Sequence, residues 1–241
     1  MGTTIKIFET AEDSAQYFAS LLSLRIRQTP CDQRFSWVLS GGTTPATIYS
    51  EIAKGPCIIP WSRVRIFWGD ERCAGPGDDE SNYKMAFENL LDHLSIHESN
   101  IFRIRGEEPP LAEAERYAGL FARYVHNEGG VPRPDLVMLG LGQDGHTASV
   151  FPANIDLFAS DKLFVPSDHP DTKQKRITAT GKVINNARTV VMIANGESKA
   201  SVAARVLNHL PGWDKLPAAR VHPEGGELIW LLDRKAAGRL R

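Results

Sequence analysis

Leu139-Gly140-Leu141-Gly142-Gln143-Asp144-Gly145-His146-Thr147-Ala148-Ser149-Val150-Phe151-Pro152 continues the run Asp135-Leu136-Val137-Met138, and the two together decide the fold. The apolar run has the length and composition of a buried strand. Glycines then break it and let the backbone turn tightly. A carboxylate, another glycine and a histidine follow. In an open α/β sheet, ligands bind beyond the carboxyl ends of parallel strands. His146 is therefore expected at a rim where substrates bind.

The same strand-to-loop pattern recurs on either side of this stretch. Phe35-Ser36-Trp37-Val38-Leu39 runs into Ser40-Gly41-Gly42-Thr43-Thr44-Pro45. Thr44 is expected to cap a helix whose first residue is Pro45. A Gly-Gly turn at a helix start leaves backbone N–H groups free in the positive end of the helix dipole, which is an anion site. The stretch lacks both the Walker A ending and GxGxxG, so neither a nucleoside triphosphate nor a dinucleotide is implied. Val64 to Trp68 is a third strand, ending in Gly69-Asp70-Glu71-Arg72. The loop after it, Cys73 to Glu80, is rich in Gly and Asp, but its spacing matches no EF-hand. Ser81 is expected to cap a helix with Tyr83, Phe87, Leu90, Leu91 and Leu94 on one face. Thr189 to Ala194 is a fourth buried strand, ending in Asn195-Gly196-Glu197-Ser198-Lys199. A helix follows, and Lys199 falls in its first turn, where a cation opposes the dipole unless an anion binds there.

Elsewhere the chain reads as ordinary scaffold. Residues 5–8 alternate like a strand, and Thr10 with Asp13 resembles a capping box. Phe18, Leu21, Leu22 and Ile26 give the next helix one buried face. A second amphipathic helix follows Pro109-Pro110 through Tyr117, Phe121, Tyr124 and Val125, with Gly129-Gly130 expected to stop it. Residues 151–175 are irregular and hold three prolines, Arg176 to Thr180 reads as a short strand, and Glu227 to Asp233 as the last. Strands alternating with helices imply a single α/β domain over residues 1–241, with a mostly parallel sheet and helices on both faces.

Composition narrows the function classes. The formal net charge is −1, so no global field draws in nucleic acid or an anionic membrane, and any anionic ligand needs a local cluster of cations. Cys31, Cys57 and Cys73 form no CxxC pair and are odd in number, which fits free thiols in a reducing cytosol. No HExxH or Cys/His spacing points to a metal. The N-terminus has no secretory apolar region, and no apolar run approaches the ~20 residues of a membrane span. A cytoplasmic monomer or weak oligomer is expected.

With these pieces placed, the sequence resembles the 6-phosphogluconolactonase family, within the glucosamine-6-phosphate isomerase/deaminase superfamily. The resemblance rests on residues 40–45, Asp70-Glu71-Arg72 with Glu80-Ser81-Asn82, residues 142–149, Arg176-Ile177-Thr178, Gly196 to Lys199, and Trp230 to Asp233. Their order and spacing over nearly the whole chain are more specific than any one of them. The resemblance implies a Rossmann-like, sugar-phosphate isomerase-like fold. It implies hydrolysis of the δ-lactone of 6-phosphogluconate in the pentose phosphate pathway, without a cofactor. It also implies that Gly41, Gly42 and Thr43 cradle the substrate phosphate with Arg176 and Lys199, that Arg72 faces the anion, and that His146 is the general base. Asp144 and Asp70 match acidic positions of the site. Thr43 stands where Ser is common, and Lys173-Gln174-Lys175 stands where the family often has prolines.

The chemistry agrees with these residue types. Water must become nucleophilic near neutral pH, and a neutral imidazole can take its proton. The tetrahedral oxyanion then needs donors, from backbone N–H groups or Arg72. Ser149 lacks the GxSxG setting of a nucleophile elbow. Two other functions fit the same scaffold. The sister activity, isomerisation with deamination of an amino-sugar phosphate, resembles a pattern with a Glu five residues after the histidine, where this chain has Phe151. A non-catalytic sugar-phosphate sensor would keep the anion site but need no Asp144-Gly145-His146.

Overall fold

Continuous apolar runs build the centre of the molecule. The computed structural model describes residues 2–55 and 58–241, so Cys57 lies outside the described residues. Chain order gives β1 (Thr3–Phe8), α1 (Ala11–Gln28), β2 (Phe35–Leu39), α2 (Thr43–Ala53), β3 (Val64–Trp68), β4 (Asp70–Arg72), α3 (Asn82–Asn89) and α4 (Pro110–Tyr124). There follow β5 (Asn127–Glu128), β6 (Val131–Pro132), β7 (Leu136–Gly140), β8 (Phe164–Asp168), β9 (Lys175–Ala179), α5 (Gly181–Ile184), β10 (Thr189–Ala194), α6 (Ala200–Leu207) and β11 (Glu227–Asp233). Six strands form the main sheet in the order β1-β11-β10-β7-β2-β3, every pair parallel. Every residue of β2 and β10 is buried, as strands covered on both faces require.

Aromatic side chains show which helix covers which face. On β2, Trp37 meets Phe18 of α1 at 5.8 Å and Tyr49 of α2 at 6.1 Å. On β3, Phe67 meets Phe121 of α4 at 5.0 Å. In the β2–β3 register Phe67 stands opposite Val38, the neighbour of Trp37, so it points to the other face. Thus α1 and α2 lie on one side and α4 on the other. The expected α/β architecture is the one observed.

The order of strands fixes where a ligand fits. From β2 the chain steps outward to β3, and from β7 it steps the opposite way to β10 and β11. The reversal lies between β2 and β7, the switch point at which open α/β sheets bind ligands. These two strands are paired only at Trp37↔Leu136 and Val38↔Val137, whereas β2 and β3 stay in register over all five residues. Beyond Val38 the two strands part, and the carboxyl ends open into a crevice.

Several local expectations are corrected. Asp70 to Arg72 is itself a strand, in an antiparallel sheet ordered β4-β9-β8. β8, inside the stretch read as irregular, contains Pro166. It is tolerated because β8 is an edge strand of that sheet, where a missing N–H costs no ladder bond. The helix after Pro109 ends at Tyr124, not at Gly129-Gly130, and those glycines form the tip of the β5–β6 hairpin. α2 begins at Thr43 with Gly42 as N-cap, so Thr44 is not the cap. α3 starts at the Ser81 cap as expected but stops at Asn89; within it Phe87 is exposed, while Leu90 and Leu91 are buried in the turn beyond. The capping box of Thr10 and Asp13 forms as read.

Candidate functional site

Loops leave the carboxyl ends of β2, β7 and β10 and meet β4, which continues from β3, over the crevice. They and β9 line a pocket of about 170 Å³ that includes Gly41, Gly42, Thr43, Asp70, Arg72, His146, Arg176 and Lys199. Eight of the nine residues singled out in the sequence thus share one cavity. The ninth, Asp144, reaches it through His146. A larger hollow of about 680 Å³, between residues 155–161 and α5, contains none of them.

The loop after β2 is shaped by what lies behind it. Tyr49 reaches back from α2, donates its hydroxyl to the Ser40 carbonyl at 2.7 Å and accepts the Ser40 N–H at 3.0 Å. This pins the strand end from below. A Cβ at Gly41 would stand 1.8 Å from the Asn82 carboxamide oxygen, so only glycine lets the loop lie on Asn82. Gly42 then caps α2 with φ 101°, and no side chain satisfies the first-turn N–H groups. A helix start left open in this way is suited to an anion.

The three-stranded sheet supplies the arginines. β4 and β9 place Arg72 opposite Arg176, and Asp70 opposite Thr178. Like charges directly opposite one another are unfavourable in a sheet, and an anion between them would relieve this. The Nε groups of both arginines are buried without a protein partner. Burial holds the Arg176 guanidinium below its usual pKa, as does Arg72 nearby, while the charge of Asp70 works the other way. Asp70 is buried and accepts the Ser149 hydroxyl at 2.6 Å. Ser149 was set aside as a nucleophile; it is a bridge, since Arg176 Nη1 also donates to its oxygen at 3.4 Å. Asn82 donates to the Asp70 carbonyl at 2.9 Å and keeps its own oxygen buried and unpartnered. Asn82 was quoted in the sequence only as part of a motif, because its position under the Gly41 loop depends on the packing of α3.

Glu71 points to the opposite side of β4 and does a different job. It accepts N–H groups of Arg72, Asn82 and Tyr83 and the hydroxyl of Ser81. It therefore caps α3 from the neighbouring strand. Burial pushes its carboxyl up to about 7, against the pull of the three backbone N–H groups.

His146 stands on the loop after β7. Its Nδ1 is 2.6 Å from Asp144 Oδ1, and its backbone N–H donates to the same oxygen at 3.1 Å. An ionised carboxylate only accepts, so Nδ1 carries the ring proton and Nε2 of the neutral ring holds a lone pair. Partial burial by itself would raise the Asp144 carboxyl, but the His146 bond and charge hold it below the usual range. A Cβ at Gly142 would come within 2.1 Å of His146 Nδ1; the glycine is what makes room for the ring. Phe151 backs the imidazole at 4.8 Å and also meets His169 at 4.9 Å.

Lys199 ends a short 3₁₀ turn and is the N-cap of α6, one step before the first turn expected for it. Burial lowers its ammonium pKa, against the charge of Asp144 nearby. Its loop is tied down by Asp233, whose two oxygens accept the Gly196 N–H at 3.0 and 2.9 Å. Among the described residues, no group of three or more His, Cys, Asp or Glu side chains is placed to hold a metal ion, and no helix is long and apolar enough to cross a membrane. Cys31 and Cys73 are free.

Known proteins resemble this chain over most of its length. Residues 9–230 match the profile of the family described as glucosamine-6-phosphate isomerases/6-phosphogluconolactonase. The 6-phosphogluconolactonase of Treponema pallidum is 38% identical over 202 residues, covering 83% of this chain and 82% of the relative. That of Haemophilus influenzae is 39% identical over 208 residues, covering 84% and 85%. Among solved structures, the crystal structure of devB protein superposes with a TM-score of 0.93 at 36% identity, over the full length of both chains. The chain belongs to the family of glucosamine-6-phosphate isomerases and 6-phosphogluconolactonases.

Proposed function

We propose that this site hydrolyses 6-phospho-D-glucono-1,5-lactone to 6-phosphogluconate, with His146 as the general base that activates water. That the chain is an enzyme of the lactonase type follows from its 6-phosphogluconolactonase relatives, similar over more than four-fifths of its length. The observation that carries the mechanism is the Asp144–His146 bond of 2.6 Å at the rim of a pocket lined by Arg72, Arg176 and Lys199. Asp144 keeps the Nδ1 proton in place, so Nε2 accepts the proton of an attacking water. The open start of α2, with Gly41, Gly42 and Thr43, holds the phosphate together with Arg176 and Lys199. That grip presents the lactone carbonyl to the rim. As the tetrahedral oxyanion forms, loop N–H groups stabilise it, while Arg72, opposite Arg176 in the β4–β9 register, faces the phosphate. The imidazolium then returns its proton to the leaving ring oxygen. Asp70, fixed by Ser149, balances the charge of the paired arginines. A positioned base of this kind supplies about 10²- to 10⁴-fold, and the route calls on no cofactor.

The sister deamination has less support, since the position of its acid is filled by the buried ring of Phe151, which carries no proton to transfer. The test is consumption of freshly generated lactone against the spontaneous rate, beside ammonia release from glucosamine 6-phosphate. Enzyme-dependent lactone loss without ammonia supports the proposal. Lactone loss at the blank rate, or ammonia release, would overturn it.

A further inference from the structure

The two arginines that line the pocket are joined by a polar connection that the lactonase chemistry leaves unused. β4 ends at Arg72 where β9 has just begun before Arg176, so the loop 73–80 and the turn 169–174 emerge side by side. The Cys73 N–H donates to the Lys175 carbonyl at 2.8 Å and starts the contact. Gln174 completes it. Its Oε1 accepts from Arg176 Nη2 at 3.0 Å, and its Nε2 donates to the Glu80 carboxylate. The Glu80 backbone carbonyl in turn accepts from Arg72 Nη1. One amide and one glutamate therefore touch both arginines.

This connection is stiff at its base. The His169 N–H donates to the Gln174 carbonyl at 3.0 Å. The His169 Nδ1 accepts the N–H groups of Asp171 and Thr172 at 3.2 and 3.3 Å, and its ring packs on Phe151. The two ends of the Gln174 amide are unlike, and each meets the partner it needs: acceptor to guanidinium, donor to carboxylate.

We propose that Gln174 and Glu80 form a clip that sets the guanidinium planes of Arg176 and Arg72 for the substrate's phosphate monoester. Gln174 is a positioning residue: it acts through Arg176. The inference rests on the reading that these arginines bind the substrate anion. Two arginines directly opposite in register repel, and each is a long, rotamer-rich side chain. Held in place beforehand, they lose less freedom when the anion arrives.

The experiment measures KM and kcat for fresh lactone, inhibition by inorganic phosphate, and thermal midpoint. Gln174→Ala should raise KM and the phosphate inhibition constant together, about three- to tenfold, with kcat and the midpoint nearly unchanged. Gln174→Glu keeps an acceptor for Arg176 but sets two carboxylates face to face, so it should also weaken binding. The exchange Glu80→Gln with Gln174→Glu restores both bonds with the roles reversed, and should return KM toward the wild-type value. In an Arg176→Ala background, Gln174→Ala should change nothing further. The clip is overturned if Gln174→Ala leaves KM and phosphate inhibition unmoved, if it lowers only kcat or stability, or if the exchange is no better than the single variants. An Arg176→Ala enzyme with normal KM would instead sink the underlying phosphate reading. Arg176→Ala with raised KM beside a silent Gln174→Ala would sink the clip alone.

Discussion

At the scale of single residues, His146 and the cations should separate by kinetic parameter. His146→Gln keeps a polar side chain of similar reach but cannot take a proton from water. We expect kcat to fall about 10²- to 10⁴-fold with KM largely spared. Near-normal kcat in His146→Gln would turn attention to Asp70 or Asp144. Lys199→Ala and Arg176→Ala should do the opposite. A phosphate remote from the reacting carbon is held alike in ground and transition states, so its loss appears in KM. A charge-assisted contact is worth roughly 1.5–3 kcal/mol, or about ten- to a hundredfold. An unchanged KM in Lys199→Ala would remove that lysine from the phosphate site.

At the scale of elements, the site depends on two helix starts held by groups from elsewhere. Tyr49 ties α2 back to Ser40 through two buried hydrogen bonds. Tyr49→Phe leaves the Ser40 N–H and carbonyl without that partner, and should cost about 1–3 kcal/mol in a urea melt. A melt that overlays the wild type would show that the pair is satisfied without the hydroxyl. Glu71 caps α3, and its raised carboxyl pKa makes the cap pH-dependent. The folded state holds a proton on Glu71 up to about 7, where a free glutamate loses it near 4.5. Its contribution to stability is thus full below 4.5 and is lost as pH rises through 7. The shift corresponds to on the order of 3 kcal/mol. Glu71→Gln has no such proton to lose. The stability difference between wild type and variant should therefore shrink or reverse across this window and level off above it. Parallel pH–stability curves for the two proteins would contradict this.

At the scale of the whole molecule, the near-neutral net charge of −1 leaves attraction of the substrate to the pocket cations alone. Such local attraction is screened as the Debye length falls from about 30 Å at 0.01 M salt to about 3 Å at 1 M. KM should rise with salt while kcat holds, and inorganic phosphate should compete with the lactone. Salt-independent KM would mean that the cations are spent on protein partners. The sheet supports this arrangement from the next strand. Asp233, at the end of β11 beside β10, fixes the loop that carries Lys199, so a neighbouring strand sets the position of one of the pocket cations.

Much of this was readable from the residues. Short apolar runs gave the central strands, because a strand buried on both faces needs no alternation. Glycines and charges just past those runs marked the residues that line one pocket, because the carboxyl ends of parallel strands are where such sheets open a crevice. The motif order pointed to the family. Tertiary structure decided the rest. That Asp70 to Arg72 form a strand depended on pairing with β9, more than a hundred residues away. The separate jobs of Asp70 and Glu71 followed from strand alternation, which sends neighbours to opposite faces. Phe87 misled because helical periodicity does not say which positions meet a neighbour, and Gly129-Gly130 because a glycine pair marks a turn without saying where packing has already ended the helix. Asn82, Ser149 and Gln174 carried no local sign of their partners: their hydrogen bonds join segments distant in sequence, and only folding brings those segments together.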